Sequence, residues 1–204
     1  MKKVMVAGLL LLNIQTLFAS VRPFISGQIG GYAGNDELES SIIGGGQLGL
    51  NGDYLGLSLG GLYYGKDNKV NTMSKGSFNM IPIMLNGFVR IPIKEVAAIR
   101  FGGGGSYVLI DHEIDSGIVN EFKRFGIGIS EDVESEIGFQ VNGGFDVFVT
   151  RNISIGADIF YLWVKPELEA KVWDLRNPSD RLSAKNKLEL NSVIGLATIK
   201  YHFK

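Results

Sequence analysis

The chain has 204 residues, 28 of them glycine and none cysteine, with 20 basic against 21 acidic side chains. Glycine at about twice its ordinary share, with no Gly-X-Y repeat and beside 45% hydrophobic residues, excludes both collagen and a disordered tract. The missing cysteines exclude a disulfide scaffold, a thiolate metal site and a cysteine nucleophile, and the balanced charge lacks the basic excess that nucleic-acid binding requires.

The first element is an address. Lys2 and Lys3 precede an apolar run from Val4 to Leu12, and Leu17-Phe18-Ala19 offers a small-residue cleavage site, so residues 1–19 are expected to be a cleaved signal peptide. The run breaks at Asn13 and Gln15, short of the roughly 20 apolar residues that a spanning helix needs. Residues 20–204 then form one exported domain. After Arg22 the longest stretch without Asp, Glu, Lys or Arg is Gly76 to Val89, and it holds Pro82 and Gly87, so no later segment reads as a spanning helix. A bilayer accepts only helices or closed barrels, because unpaired backbone groups are costly in hydrocarbon. If this domain enters a membrane, it enters as a barrel.

Eight strands are predicted in chain order, at Arg22–Ala33, Ile42–Asn51, Tyr54–Gly65, Phe78–Ile91, Ala97–Ile110, Ser135–Thr150, Asn152–Val164 and Leu188–Phe203. Each alternates an apolar face with a face of small and polar residues, the period-2 signature of a strand between two environments. In the sixth, Ile137, Phe139, Val141, Phe145, Val147 and Val149 oppose Gln140, Asn142, Gly144 and Asp146. Most candidates match or exceed the ~9–11 residues of a tilted membrane strand. The connections alternate in length: Gly52-Asp53, Pro92 to Val96 and Arg151 are tight, whereas 34–41, 66–77, 111–134 and 165–187 are long and polar. Short turns at one end and long loops at the other are the form of an even-stranded outer-membrane barrel. Residual alternation at Val164, Leu168, Ala170 and Val172 extends the last two hairpins beyond the membrane.

Period 2 alone does not say whether the apolar face meets lipid or a core, and a soluble lipocalin-like barrel would bury it around a small hydrophobe. Lipid is favoured by the other face, which is Gly, Ser, Asn and Gln rather than the Lys and Glu of a solvated exterior. Aromatic residues on the apolar face also gather at strand ends. Tyr63, Tyr107, Tyr161 and Trp163 fall near the long loops, and Phe101, Phe145, Tyr201 and Phe203 near the short turns, as two interfacial girdles would. On the polar face Arg90, Arg100, Asp146, Asp158 and Lys200 are expected to form a lumen network, because buried charges persist when paired.

The ending Leu190 to Phe203, an alternating strand finishing in aromatics, resembles the C-terminal signal of outer-membrane barrels, with Lys204 added after the last aromatic. Phe24 to Tyr32, Ile81 to Asn86 and Gly102 to Tyr107 are similar to the small eight-stranded outer-membrane β-barrel superfamily of OmpW-like and OmpX-like proteins, and Tyr161 to Pro166 leans towards the OmpW side. The resemblance implies an all-β, eight-stranded antiparallel up-and-down transmembrane barrel in the outer membrane of a Gram-negative-type bacterium. It implies as partners the outer-membrane lipids, lipopolysaccharide included, and the assembly machinery that reads the C-terminal strand. In OmpW-like relatives the narrow barrel is implicated in passage of small hydrophobic solutes; in OmpX-like ones the outer hairpins serve adhesion or defence.

Catalytic patterns are sparse. Gly44-Gly45-Gly46 and Gly102 to Gly105 are not followed by the Lys-Ser/Thr and helix of a phosphate loop. His112 falls in a loop and His202 at the turn side, which gives neither a metal spacing nor a triad that a lipid-modifying enzyme would need. The expected function is therefore non-enzymatic and cofactor-free: an envelope barrel with a narrow or plugged lumen and exposed hairpins, with an OmpW-like conduit as the alternative.

Overall fold

The computed structural model of the chain describes residues 21–34, 41–68 and 76–204. The expected signal peptide at 1–19, and 35–40 and 69–75 within the first two long connections, lie outside them. In chain order the described residues form β1 (Arg22–Gly34), β2 (Ser41–Asn51), β3 (Leu55–Asn68), β4 (Gly76–Ile93), β5 (Ala97–Ile114), α1 (Ser116–Arg124), β6 (Ile127–Val133), β7 (Glu136–Phe148), β8 (Ile153–Trp163), β9 (Glu167–Asp174), β10 (Asn177–Lys187) and β11 (Ser192–His202). No helix among them is long and apolar enough to cross a membrane.

Alternation along each strand gives the wall one apolar and one small or polar side, and the wall closes on itself. Eight strands, in the order β1-β11-β8-β7-β5-β4-β3-β2, make an antiparallel up-and-down barrel. Its seam joins the two chain ends, with Phe24 opposite His202 and Tyr32 opposite Ile194. Every predicted strand is present, displaced by a few residues at its ends. The apolar face points outward: Ile29, Leu48, Leu59, Leu85, Val141, Ile159 and Ile199 are all exposed. Inward glycines let so narrow a wall curve. A Cβ on Gly104 would lie 1.8 Å from the Leu85 carbonyl oxygen of the next strand, whereas one on the outward Gly87 would meet nothing within 4 Å.

Beyond the wall, the connections expected at 111–134 and 165–187 as polar loops contain more structure than that. β6, β9 and β10 form a separate antiparallel sheet in the order β10-β9-β6. The cause lies in register: Ile129 stands beside Val172, Val172 beside Leu182, and Val133 beside Leu168, so apolar side chains share one face of the sheet. The opposite face carries a ladder of charges, with Lys171 2.9 Å from Glu169 and Lys185 paired to Glu167. The helix α1 starts where the Asp115 carboxylate accepts the Gly117 N–H at 2.7 Å, and it stops at Gly126, whose φ of 76° suits glycine.

Candidate functional site

The interior of the barrel divides into two halves, set by which residues occupy the inward positions of each strand. On the turn side, β5, β7, β8 and β11 bring four charges together. Arg100 reaches Asp146 through Nε at 2.8 Å and Asp158 through Nη2 at 2.6 Å, and the Lys200 ammonium reaches Asp146 at 2.8 Å and Asp158 at 4.0 Å. All four side chains are almost wholly buried. Two cations and two carboxylates sum to zero, which is the condition for keeping charges out of water. Rings close the cluster from below: Arg100 stands over Phe88 at 5.7 Å and Lys200 over Phe24 at 5.9 Å.

Arg90 lies apart from those four. Although its backbone is the register partner of Arg100, its guanidinium turns to the turn-side mouth. There it donates to the Asp53 carbonyl at 3.5 Å and faces the Phe148 ring at 5.6 Å. Next to it His202, buried between Phe24 and Phe148, has Nε2 2.9 Å from the Ser154 hydroxyl and Nδ1 3.4 Å from the Asn51 amide. Among the described residues the His202 ring hydrogen-bonds only Ser154 and Asn51, neither of them acidic, and Ser154 is completely shielded from solvent. Such a pair holds the C-terminal strand against β2 and β8 rather than presenting a nucleophile to a substrate.

Further in, the lining is amide and hydroxyl. The Gln140 side chain donates to the Asn86 carbonyl oxygen at 3.0 Å and to the Gly105 backbone carbonyl at 3.1 Å, which ties β7 to β4 and β5.

The loop-side half is different in kind, and alternation had not signalled it. Tyr32, Ile43, Leu62, Tyr64, Met80 and Ile194 meet there among other buried side chains. The Tyr32 and Tyr64 rings are 4.4 Å apart, and the Tyr64 hydroxyl is 3.4 Å from that of Ser192. The packing does not stop at the rim. Val133 of β6, Leu168 of β9, and Leu188 and Leu190 before β11 belong to the same cluster, so one apolar core joins the upper lumen to the outer sheet. His112, on the inward face of β5 above the rim, adds a polar tie at 3.1 Å to Glu131 of β6.

On the outside, Tyr63, Tyr107, Trp163, Phe101, Phe145, Tyr201 and Phe203 are exposed and Tyr161 is half-buried. Tyr161 packs on Trp163 at 4.4 Å, and Tyr201 meets Phe203 edge-on at 5.0 Å. The first pair sits at the loop-side end of β8 and the second at the turn-side end of β11. Among the described residues no three His, Cys, Asp or Glu side chains converge as a metal site.

No protein-family model matches the chain, and no curated protein matches it. Solved structures do. The outer membrane protein OprG from Pseudomonas aeruginosa superposes with a TM-score of 0.62 at 13% identity, covering 90% of this chain and 94% of that one. Neisserial surface protein A gives 0.58 at 12%, covering 90% and 97%. The outer membrane protein AlkL, determined in lipid bilayers, gives 0.53 at 12%, covering 90% of each chain. Closed strand order, apolar exterior and these superpositions together give the chain the fold of the small eight-stranded outer-membrane β-barrels.

Proposed function

We propose that this chain is a non-enzymatic outer-membrane barrel with a plugged lumen, which holds its outer sheet rigidly above the membrane as a contact surface. The observation that carries the reading is the apolar cluster shared by the upper lumen and the outer sheet. An interior in which Tyr64, Met80, Leu162 and Ile194 are each essentially without solvent exposure supports a lumen filled by side chains. The same packing fixes β6, β9 and β10 to the barrel instead of leaving them as mobile loops. On this reading residues 1–19 are removed during export, the four buried charges are an internal tie, and the exterior aromatics sit at the two lipid interfaces. Outer-membrane lipids, lipopolysaccharide among them, surround the wall, and the assembly machinery engages the strand that ends in Tyr201 and Phe203. The OmpW-like resemblance of Tyr161 to Pro166 keeps a conduit for small hydrophobic solutes as the rival reading.

Planar-bilayer recording separates the two. The mature chain should fractionate with the outer membrane as a heat-modifiable band and give no steady conductance, and its expression should leave uptake of hydrophobic solutes unchanged. Discrete conductance steps, or uptake that follows expression, would overturn the plug in favour of the conduit.

A further inference from the structure

Two hollows meet at the β2–β3 turn, one inside the barrel mouth and one on its outer wall. The inner one, about 150 Å³, is lined by Arg22, Asn51, Asp53, Arg90, Phe148 and His202 around Gly52. Arg90 is the charge left out of the lumen cluster, and no carboxylate among the described residues forms an ion pair with it. Arg22 beside it is exposed, so the two guanidinium groups outnumber Asp53 on the rim. Asn51 also lines this pocket, its buried amide oxygen has no hydrogen-bond partner among the described residues, and the near-symmetric amide can exchange that oxygen for its NH₂.

The outer hollow is a groove of about 520 Å³ on the lipid-facing wall, and it shares Gly52 with the pocket. Val21, Leu50, Leu57, Val89 and Phe101 are its sides, and Gly87 lies along it with open space where a Cβ would be. Thus a cationic pocket and an apolar groove adjoin across one turn: Arg22 follows Val21, and Asn51 follows Leu50. Guanidinium pairs suit tetrahedral oxyanions, to which they donate parallel N–H bonds. An apolar groove in a membrane wall suits a hydrocarbon chain.

We infer that this composite site binds one phospholipid of the turn-side leaflet, with its phosphate on Arg22 and Arg90 and one acyl chain in the groove over Gly87. The inference rests on the proposal that the barrel spans a membrane. It gives Arg90 a task outside the internal tie, and it explains a groove floored by glycine where a larger side chain would fit the wall.

The test uses the mature chain refolded in detergent micelles and native mass spectrometry, with phosphatidylglycerol, diacylglycerol of the same chains, and inorganic phosphate as probes. Phosphatidylglycerol should bind about tenfold more tightly than diacylglycerol, and Arg22→Gln with Arg90→Gln should erase that preference. Gly87→Leu, at an outward position with free space, should weaken both lipids. Equal affinity for the two lipids, or a Gly87→Leu variant that binds as wild type does, overturns the site. Inorganic phosphate bound as tightly as the lipid would reduce it to a free-anion pocket and also overturn it. Heat-modifiable mobility is read on every sample: a folded barrel without lipid selectivity sinks this inference alone, whereas a wild-type chain that never folds in detergent sinks the membrane reading with it.

Discussion

Asp146 is the residue on which the lumen turns, because it alone is within 3 Å of both buried cations. Asp146→Asn would leave Arg100 and Lys200 sharing the single charge of Asp158. Breaking such a buried network by removing one partner costs about 3–5 kcal/mol, to be read from urea unfolding followed by tryptophan fluorescence. Adding Lys200→Met restores neutrality, so the double variant should be less destabilised than the sum of the two single ones. Glycines give a second contrast at this scale. Gly104→Ala drives a methyl into the Leu85 carbonyl, for a loss of about 1–3 kcal/mol, whereas Gly195→Ala, with nothing within 4 Å, should unfold as the parent does. Equal effects at the two positions would show that curvature does not set the glycine requirement.

Among the elements, the outer sheet is where titration matters. Its ion pairs are exposed. The hydrogen bond from Lys171 holds the Glu169 carboxyl below its ordinary range, and the hydrogen bond to Glu167 raises the Lys185 ammonium. A lowered carboxylate contributes stability above its unfolded value of about 4.3 and loses it as pH falls through the folded one; a raised lysine contributes below about 10.4 and loses it as pH rises. The sheet should therefore be tightest between about pH 5 and pH 10. Hydrogen-exchange protection across residues 167–187, taken relative to the intrinsic rate at each pH, should fall on both sides of that window while β7 and β8 stay protected, and a flat protection profile would remove the charge ladder as a source of order. These elements were also the hardest to read from sequence. Their strands are short and charged, so Ile127 to Val133 shows little alternation against a background of Glu131 and Asp132. Helix α1 did leave punctuation, with Asp115 ahead of it, Lys123 and Arg124 in its last turn, and Gly126 after it. Loop length outweighed those signs.

For the molecule as a whole, the wall was legible because each of its strands separates two unlike media, and that is what a period of 2 records. The upper lumen was not legible for the complementary reason. Across Phe160 to Val164 both faces are apolar, one towards the outside and one towards Leu162 and its neighbours, so alternation fades where the plug begins. Parity placed Arg90 and Arg100 on one side of β4 and β5, but it carries no side-chain direction, and the two guanidinium groups part company. The outward assignment of the wall makes a global prediction. Ile159→Arg, at the middle of β8 and exposed, should destabilise the barrel by about 2–4 kcal/mol in a bilayer. The comparison is with the same substitution at Phe125, exposed at the end of α1, which should be close to neutral. A neutral Ile159→Arg would mean that water, not lipid, bathes this face.

The seam between β1 and β11 has a consequence for biogenesis. Phe24 pairs with His202, so the first strand finds its second neighbour only when the last residues of the chain have arrived. Until then β1 and β8 both present open edges, and each unpaired N–H or C=O in hydrocarbon costs several kcal/mol. If the barrel spans a membrane as proposed, partial insertion is therefore unstable, and closing a loop of nearly the whole domain makes the final step slow as well as late. A chain cut before Ser192 would lack not one strand out of eight but the only route to an edgeless wall.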